Sequence, residues 1–401
     1  MAGVEKWSAE RISPERRTLG AASAAHALHD GLTDALYVLL PVWAQQFGLG
    51  YAEVGFLRAV YTGTLASLQM PVSRLTKRLG APGLLALGTA LAGAGYLVAG
   101  ASTGLVMLTA GLFIGGLGGS AQHPVASTLV ATAYRGPGLR AAIGIYNFAG
   151  DIGKMLVPIL AALLIASLTW RPAVALLGLA ALLAAGAFLL ALPRPEPAEA
   201  ETAATEQPAA TASAGEPLRL RWPFRVMLVT SAIDSSARTA FLTFLPFLLT
   251  AKGADLPTVG VAVALIFVGG AAGKLALGFL AARLGSVRTI LATEILSALG
   301  VALLPVLPLW GCLGLLPVLG IALNGTSSVF AGCLPDLVRE EDRARAFGIF
   351  YTATIGAAAA SPILFGLFSD AVGVPTMMLM VAGYILLTVP LALAMRAHIR
   401  D

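Results

Sequence analysis

The feature that most constrains this chain is a succession of apolar runs, each about the length of a membrane span and each bounded by charged or turn-forming residues. A helix needs roughly 20 consecutive apolar residues to cross a bilayer. The runs place twelve predicted helices at about 20–47, 52–75, 82–101, 104–133, 140–168, 171–192, 223–250, 256–282, 286–308, 311–335, 344–370 and 374–396. The composition agrees: of 401 residues 57% are hydrophobic and only 12% charged, with a mean hydropathy of +0.83. Soluble domains carry about twice that share of charge, so a soluble enzyme and a nucleic-acid binder are excluded as the main reading. Cys312 and Cys333 form no metal or disulfide pattern and read as packing residues. The expected fold class is an all-α membrane protein.

The basic residues set the expected orientation. One set of loops collects Lys6, Arg11, Arg16, Arg17, Arg74, Lys77, Arg78, Arg135, Arg140, Arg194, Arg219, Arg221, Arg225, Arg283, Arg288, Arg339, Arg343, Arg345, Arg396 and Arg400. The opposite side has Arg171 and Lys252, plus Arg58 just inside the second span. Positively charged loops stay in the cytoplasm, which puts both termini there, in the inner membrane, and explains the net charge of +5 without a nucleic-acid partner.

Residues 193–222 are rich in Pro, Ala, Thr and Glu and lack an apolar period, as expected of a disordered cytoplasmic tether. The predicted organisation is a cytoplasmic segment at 1–19, a six-helix bundle at 20–192, the linker, and a second six-helix bundle at 223–401. The bundles repeat each other. Leu40-Pro41 matches Leu245-Pro246, Val54-Gly55 matches Val259-Gly260 and Arg78-Leu79-Gly80 matches Arg283-Leu284-Gly285, all at an offset of 205. Gly144-Ile145 matches Gly348-Ile349, and Pro158-Ile159-Leu160 matches Pro362-Ile363-Leu364, at an offset of 204. Duplicated halves are the architecture of transporters that rock around a midplane site.

These features resemble the major facilitator superfamily. The run Gly278-Phe-Leu280-Ala-Ala-Arg283-Leu-Gly285-Ser-Val-Arg288 is similar to its G-x-L-a-D-R-x-G-r-[kr] loop, with a degenerate first-half copy at Ser73–Gly80. Lys77 and Ala282 stand where the family has an acid. Within the superfamily the chain resembles the fosmidomycin-resistance group of efflux proteins. Its first helix reads His26-Ala-Leu-His29-Asp30, its fourth Gly118-Gly-Ser120-Ala-Gln-His123-Pro124-Val-Ala-Ser127, and its fifth Asn147-Phe-Ala-Gly150-Asp151-Ile-Gly153-Lys154 through Pro158. Val125 and Thr128 replace that group's Glu and Arg, while Asp151 and Lys154 replace uncharged residues. The resemblance implies two pseudo-symmetric six-helix bundles, alternating access, and helices 1, 4 and 5 facing a central cavity.

Ionisable groups inside spans cost a few kcal/mol each and usually face a cavity. At about 1.5 Å per residue, Asp30, Asp151 and His123 lie roughly 15–18 Å from the cytoplasmic ends, with His26 somewhat nearer. Asp30 and Asp34 share a helix face at i and i+4, and two carboxylates in a low dielectric resist ionising together. Asp30, Asp34, His26 and His123 are therefore the proton-coupling candidates. Asp234 aligns with Asp30 and Arg238 with Asp34. The pairs Asp234/Arg238 and Asp151/Lys154 are each expected to bond along their own helix. Read structurally, they lower insertion cost; read functionally, the cations attract an anion and the acids act as counter-ions. Tyr37, Tyr146 and Asn147 complete the substrate-binding set, with Lys274 as a further candidate. Glu294 is expected to be structural on a peripheral helix. His26, His29, Asp30, Asp34 and His123 include metal-ligand types, but no Cys or tight HxxxH pair completes a site, so no resident metal is expected.

Glycines 111, 115, 116, 118 and 119 give helix 4 a small-residue face for close packing. There is no Walker motif, so an ion gradient is the expected driving force and no cofactor is expected. The favoured expectation is a monomeric, non-enzymatic carrier performing proton-coupled efflux of a small anionic or zwitterionic toxic compound. The alternatives are proton-coupled uptake of an organic anion or metal complex, and a membrane scaffold that transports nothing.

Overall fold

The computed structural model describes residues 13–192 and 222–399. Among these residues there is no strand and the chain runs through twelve helical spans. The first six are α1 (Pro14–Phe47), α2 (Tyr51–Ser73), α3 (Thr76–Gly100), α4 (Leu105–Ala133), α5 (Gly136–Leu168) and α6 (Trp170–Ala191). The second six are α7 (Trp222–Ala251), α8 (Leu256–Leu284), α9 (Ser286–Leu303), α10 (Leu309–Leu337), α11 (Arg343–Val372) and α12 (Val374–Met395). All of the expected linker except Trp222, the first residue of α7, lies outside the described residues, as do Lys6, Arg11, Arg194, Arg219, Arg221 and Arg400.

Local chemistry sets the helix ends. Ser13 caps α1, its hydroxyl accepting the Arg16 N–H at 3.4 Å, Pro14 supplies a preset φ, and Gly48 ends the helix at φ 64°. Two spans are broken in the middle. Pro124 has no N–H for the Ser120 carbonyl, and α4 turns at Ser120-Ala121; Pro390 likewise leaves the Leu386 carbonyl free, and α12 turns at Leu387. Nine of the spans are long and apolar enough to cross a membrane by length and composition. The other three, α1, α2 and α7, contain Asp30, Asp34, Arg58, Asp234 and Arg238, which lower their apolar character and which are turned inward. Outward-facing positions carry large apolar side chains, including Leu183, Leu190, Phe279 and Trp310, as expected of a surface solvated by lipid.

In each half the helices pack as a bundle, with α1 on α5, α3 on α4 and α6, α8 on α10, and α7 on α11. The halves meet through α2 on α11 and α5 on α8. These two contacts are built from the repeated blocks. A Cβ on Gly55 would fall on the Pro362 carbonyl, and one on Gly260 would lie 2.8 Å from the Ala162 Cβ and 3.2 Å from the Pro158 carbonyl. The Val-Gly block of one half therefore packs on the Pro-Ile-Leu block of the other, twice, by pseudo-symmetry. Both contacts lie at the end where α1 gives way to α2. Asp370 at the end of α11 reinforces the α2–α11 contact, accepting the Tyr51 and Ala52 N–H groups of the first turn of α2 at 2.7 and 2.9 Å, a favourable charge-to-dipole contact. Towards the opposite, basic end, Gly144, Gly278 and Gly348 have nothing within 4 Å of a Cβ position, and the cleft is open.

The two cations on the sparsely basic end are both committed to helix ends. Arg171 donates to the Gly100 and Ser102 carbonyls at 3.2 and 2.7 Å, and Lys252 to the Pro305 and Leu307 carbonyls at 2.8 and 2.7 Å. They neutralise the negative C-terminal ends of α3 and α9, equivalent helices of the two halves. Replacing Gly55 by Val drives a side chain into the α11 backbone. The expected result is a longer mean distance between spin labels at Gln45 and Val372, measured by pulsed electron resonance, with Gly260→Val acting in the same sense.

Candidate functional site

The cleft ends on a cavity of about 530 Å³ lined by His26, Asp30, Thr33 and Asp34 from α1, Thr62 and Leu65 from α2, His123 from α4, Asn147, Asp151 and Lys154 from α5, and Lys274 from α8. A second cavity of about 250 Å³ shares Asp34, Asp151, Lys154 and Lys274 and adds Tyr37, Arg238, Thr239, Asn324 and Ser327, among others. Every residue expected from sequence to couple protons or bind substrate lines one of these cavities except Tyr146 and Asp234, which stand directly behind them.

Asp30 is the most heavily contacted group. It is buried, with His26 Nε2 at 3.2 Å, Lys154 Nζ at 3.1 Å and His123 Nε2 at 3.4 Å. His26 is fixed from behind: its Nδ1 lies 2.9 Å from the Tyr146 carbonyl, and its ring stacks on the Tyr146 ring at 4.2 Å. A carbonyl only accepts, so Nδ1 carries a hydrogen. Were His26 neutral and Asp30 ionised, the Nε2 lone pair would face a carboxylate oxygen. A proton shared by the two side chains would remove that repulsion, and the Lys154 ammonium on the same Asp30 oxygen offsets it. Gln122 secures the other end of this chain by donating to the Tyr146 hydroxyl at 3.0 Å.

His26, Asp30 and His123 present ligand-type atoms within 4.8 Å of one another, a partial metal-binding set in which the His26 Nδ1–H is already bonded to a carbonyl. The Lys154 ammonium lies 3.1 Å from the same Asp30 oxygen that faces His26 and supplies positive charge there.

Asp34 has a different partner. It lies 3.7 Å from Arg58 of α2, whose guanidinium also donates to the Thr33 carbonyl and the Tyr37 hydroxyl, both at 2.8 Å, and stacks over the Tyr37 ring at 4.3 Å. The two acids of α1 share one face, as expected, but each is matched to its own cation. His29 sits outside the site. The Thr89 hydroxyl gives its hydrogen to the Leu85 carbonyl at 2.8 Å, so His29 Nε2 donates to Thr89 at 2.9 Å and the ring is a buried link to α3.

The pairing expected along α5 does not form. Three residues turn a helix by about 300°, leaving side chains some 60° apart. Lys154 points to α1 and bonds Asp30, while Asp151 points across the cleft and takes a 2.6 Å contact from Lys274 of α8. Asp151–Lys274 thereby ties the two halves at the level of the cavity. The α7 pair does form, at 3.7 Å, and Arg238 donates further to the Leu323 carbonyl at 3.3 Å and to Ser235 at 3.5 Å. Glu294 of α9 is 1% exposed and accepts a hydrogen bond from the Thr388 hydroxyl of α12 at 3.1 Å, which joins two helices of the second half. Tyr37 is buried under Arg58, whereas Asn147 is exposed to the larger cavity.

Sequence reading passed over Arg58, which it counted only as an exception to the loop charge bias. A buried Arg within reach of an acid on the preceding helix was the available signal. Removing it isolates the Asp34 charge, so Arg58→Met is expected to cost about 3–5 kcal/mol of stability. Adding Asp34→Asn to the same chain should recover most of that loss in thermal unfolding in detergent.

Comparison with known proteins places these features in context. Residues 22–248 and 227–399 each match the family model described as Major Facilitator Superfamily. A stretch of 151 residues, 37% of this chain, is 32% identical to the fosmidomycin resistance protein of Escherichia coli (strain K12). That match spans 36% of the relative's length. Among solved structures, a bacterial homolog to the human lysosomal transporter Spinster, in an inward-facing and occupied conformation, superimposes with a TM-score of 0.79 at 15% identity over 97% of this chain and 98% of its own. The nucleoside transporter NupG does so with a TM-score of 0.76 at 15% identity over 96% and 100%. At such identities the likeness is one of fold.

Proposed function

The chain belongs to the major facilitator superfamily, and we propose that it is a proton-coupled secondary transporter that exports a small zwitterionic or anionic toxic compound across the inner membrane. The observation that carries this reading is the cluster around Asp30, with His26 Nε2 at 3.2 Å and Lys154 Nζ at 3.1 Å, in the wall of a solute-sized cavity. In the proposed orientation both termini are cytoplasmic, the open end of the cleft faces the cytoplasm, and the end closed by α2–α11 and α5–α8 faces outward. The chain acts as a monomeric carrier with no enzymatic step, no nucleic-acid partner and no cofactor besides the proton gradient.

The sign of coupling follows from charge. The cavities carry Asp30, Asp34 and Asp151 against Lys154, Lys274 and Arg238. Protonating Asp30 makes the site more positive and frees Lys154, which strengthens binding of a purely anionic solute, so such a solute would travel with the proton. Exchange requires the solute and the proton to compete for the same oxygen atoms. A solute with both an anionic and a proton-donating group meets that condition. Its anion replaces Asp151 at Lys274 and reaches Arg238, whose planar fork suits two oxygens. Its donor group bonds the deprotonated Asp30. A proton arriving at Asp30 from the outward-open state then expels the solute. The relationship to a fosmidomycin resistance protein supports a toxic small molecule as cargo.

The test is accumulation of labelled fosmidomycin, beside a panel of zwitterionic phosphonates and simple carboxylates, in inside-out vesicles with an acid interior. Accumulation that an uncoupler collapses supports export. Uptake of carboxylates by right-side-out vesicles under an inward proton gradient would overturn it in favour of an importer. Asp30→Asn is expected to remain folded, to lose gradient-driven accumulation, and to keep solute exchange at equal pH; proton-driven transport in that variant would remove Asp30 from the mechanism. Lys274→Gln is expected to raise KM for an acidic solute about tenfold, equivalent to about 1.4 kcal/mol.

A further inference from the structure

The reading above leaves His123 without a task. It stands on α4 just past the turn at Ser120-Ala121, lines the larger cavity, and has a side chain 43% exposed. Its Nε2 lies 3.4 Å from Asp30 Oδ1, while His26 Nε2 lies 3.2 Å from Asp30 Oδ2. Two helices thus bring two imidazoles and a carboxylate to one corner of the cavity, with the three ligand-type atoms within 4.8 Å of one another. Along the sequence only His26 and Asp30 are one turn apart; His123 arrives from another helix.

His26 is oriented as a metal ligand is. Its Nδ1–H is spent on the Tyr146 carbonyl at 2.9 Å, the kind of outer contact that fixes ring and tautomer in metal-binding histidines. In the neutral ring the Nε2 lone pair then points at the Asp30 carboxylate, so two electron-pair donors face each other. A divalent ion between them accepts both pairs. With bonds of about 2.0–2.1 Å, the ligand atoms of a tetrahedral ion stand about 3.3–3.4 Å apart. The two His-to-carboxylate spacings are 3.2 and 3.4 Å. Only the spacing between the histidines has to close, and their rings already meet edge to face at 5.1 Å. The Nε2 edge of His26 stays bare because residue 150 is glycine: a Cβ there would fall 2.6 Å from Nε2. Lys154, 3.1 Å from Asp30 Oδ2, offers a single charge where the ion offers two, so lysine and ion compete for Asp30. Two nitrogens and a carboxylate favour Zn2+, Co2+ or Ni2+ over Mg2+ and Ca2+, which prefer all-oxygen shells.

We propose that His26, Asp30 and His123 form a binding site for a divalent transition-metal ion in the cavity wall, with its remaining coordination positions open to the cleft. An ion held there ties α1 to α4 and covers the carboxylate that the proposed cycle protonates, so it arrests transport. The arrest rests on the coupling role proposed for Asp30; the metal site does not.

The site is tested by titrating Co2+ into the purified full chain in detergent, prepared without a histidine tag and stripped with a chelator. One Co2+ per chain should develop the visible bands of a low-coordinate ion, which Zn2+ abolishes and Mg2+ leaves unchanged. Asp30→Asn, His26→Gln and His123→Gln, each checked for folding by gel filtration, should weaken binding by about tenfold or more. His398→Gln, which alters an exposed histidine on the C-terminal side of α12, should bind as the wild type does. Lys154→Gln should bind Co2+ more tightly, a gain that misfolding does not produce. No bands in the wild type, or undiminished binding in both Asp30→Asn and His123→Gln, would overturn the site. Binding no tighter in Lys154→Gln would overturn the competition with the lysine. In inside-out vesicles the cleft faces the bath, and added Zn2+ should stop uncoupler-sensitive accumulation of fosmidomycin at the concentration that fills the site, with recovery on adding a chelator. Undiminished transport at that concentration would overturn the arrest and leave the site standing. Failure of fosmidomycin to accumulate in metal-free vesicles would count against the proposed cargo and leave the Co2+ result as it is.

Discussion

Charge matching inside an apolar fold is the constraint on which the rest of this structure depends. A lone charge in the core of a bilayer costs several kcal/mol, and four of the acids in the span interiors have a cation placed to meet them. Asp30 meets Lys154, Asp34 meets Arg58, Asp151 meets Lys274 and Asp234 meets Arg238. Only the last pair belongs to a single helix. The others join α1 to α5, α1 to α2, and α5 to α8, and so fix which helices can be neighbours around the cavity. His26 adds to the α1–α5 link, lying 3.2 Å from Asp30 on one side and 2.9 Å from the Tyr146 carbonyl on the other.

The closed end obeys different physics. There the halves touch through backbone, with Gly55 on Pro362 and Gly260 on the Pro158–Ala162 turn, and the Asp370 carboxylate bonds N–H groups of α2. Small-residue contacts of this kind depend on close van der Waals approach, which is lost once the helices separate. Apolar backbone contacts at one end and charge pairs at the level of the cavity are a natural division for halves that rock: the ends separate while the middle moves least.

Much of the architecture was legible because it rests on one-dimensional patterns. Span positions follow from apolar length, the two halves from the fixed repeat offset, and the cavity helices from buried ionisable residues. Even the contact between halves was present in the sequence as the Val-Gly and Pro-Ile-Leu repeats, although nothing in one dimension says that these blocks pack on each other. The pairing of charges was not legible, because helix periodicity reveals partners one turn apart and is silent about partners on other helices. It matched Asp151 with Lys154, yet the 60° between them sends one to α8 and the other to α1. Arg58 was taken for a topology signal, and helix 9 with Glu294 was expected at the periphery, for the same reason: their partners, Asp34 and Thr388, lie on different helices.

The Asp151–Lys274 pair gives the proposed cycle its mechanical link. It bridges the halves at the level of the cavity, where rocking displaces groups least, so it can survive the motion as a tether. A solute anion that binds Lys274 must displace Asp151, exchanging a tie between the halves for a tie between solute and one half. Binding then alters the freedom of the halves as well as the occupancy of the site, and it leaves Asp151 in need of a donor. The neighbouring Lys154 can supply one only if Asp30 releases it, which a proton or the solute's own donor group on Asp30 brings about. Solute, proton and inter-half contact are in this way linked through three residues on two helices of the first half and one lysine of the second.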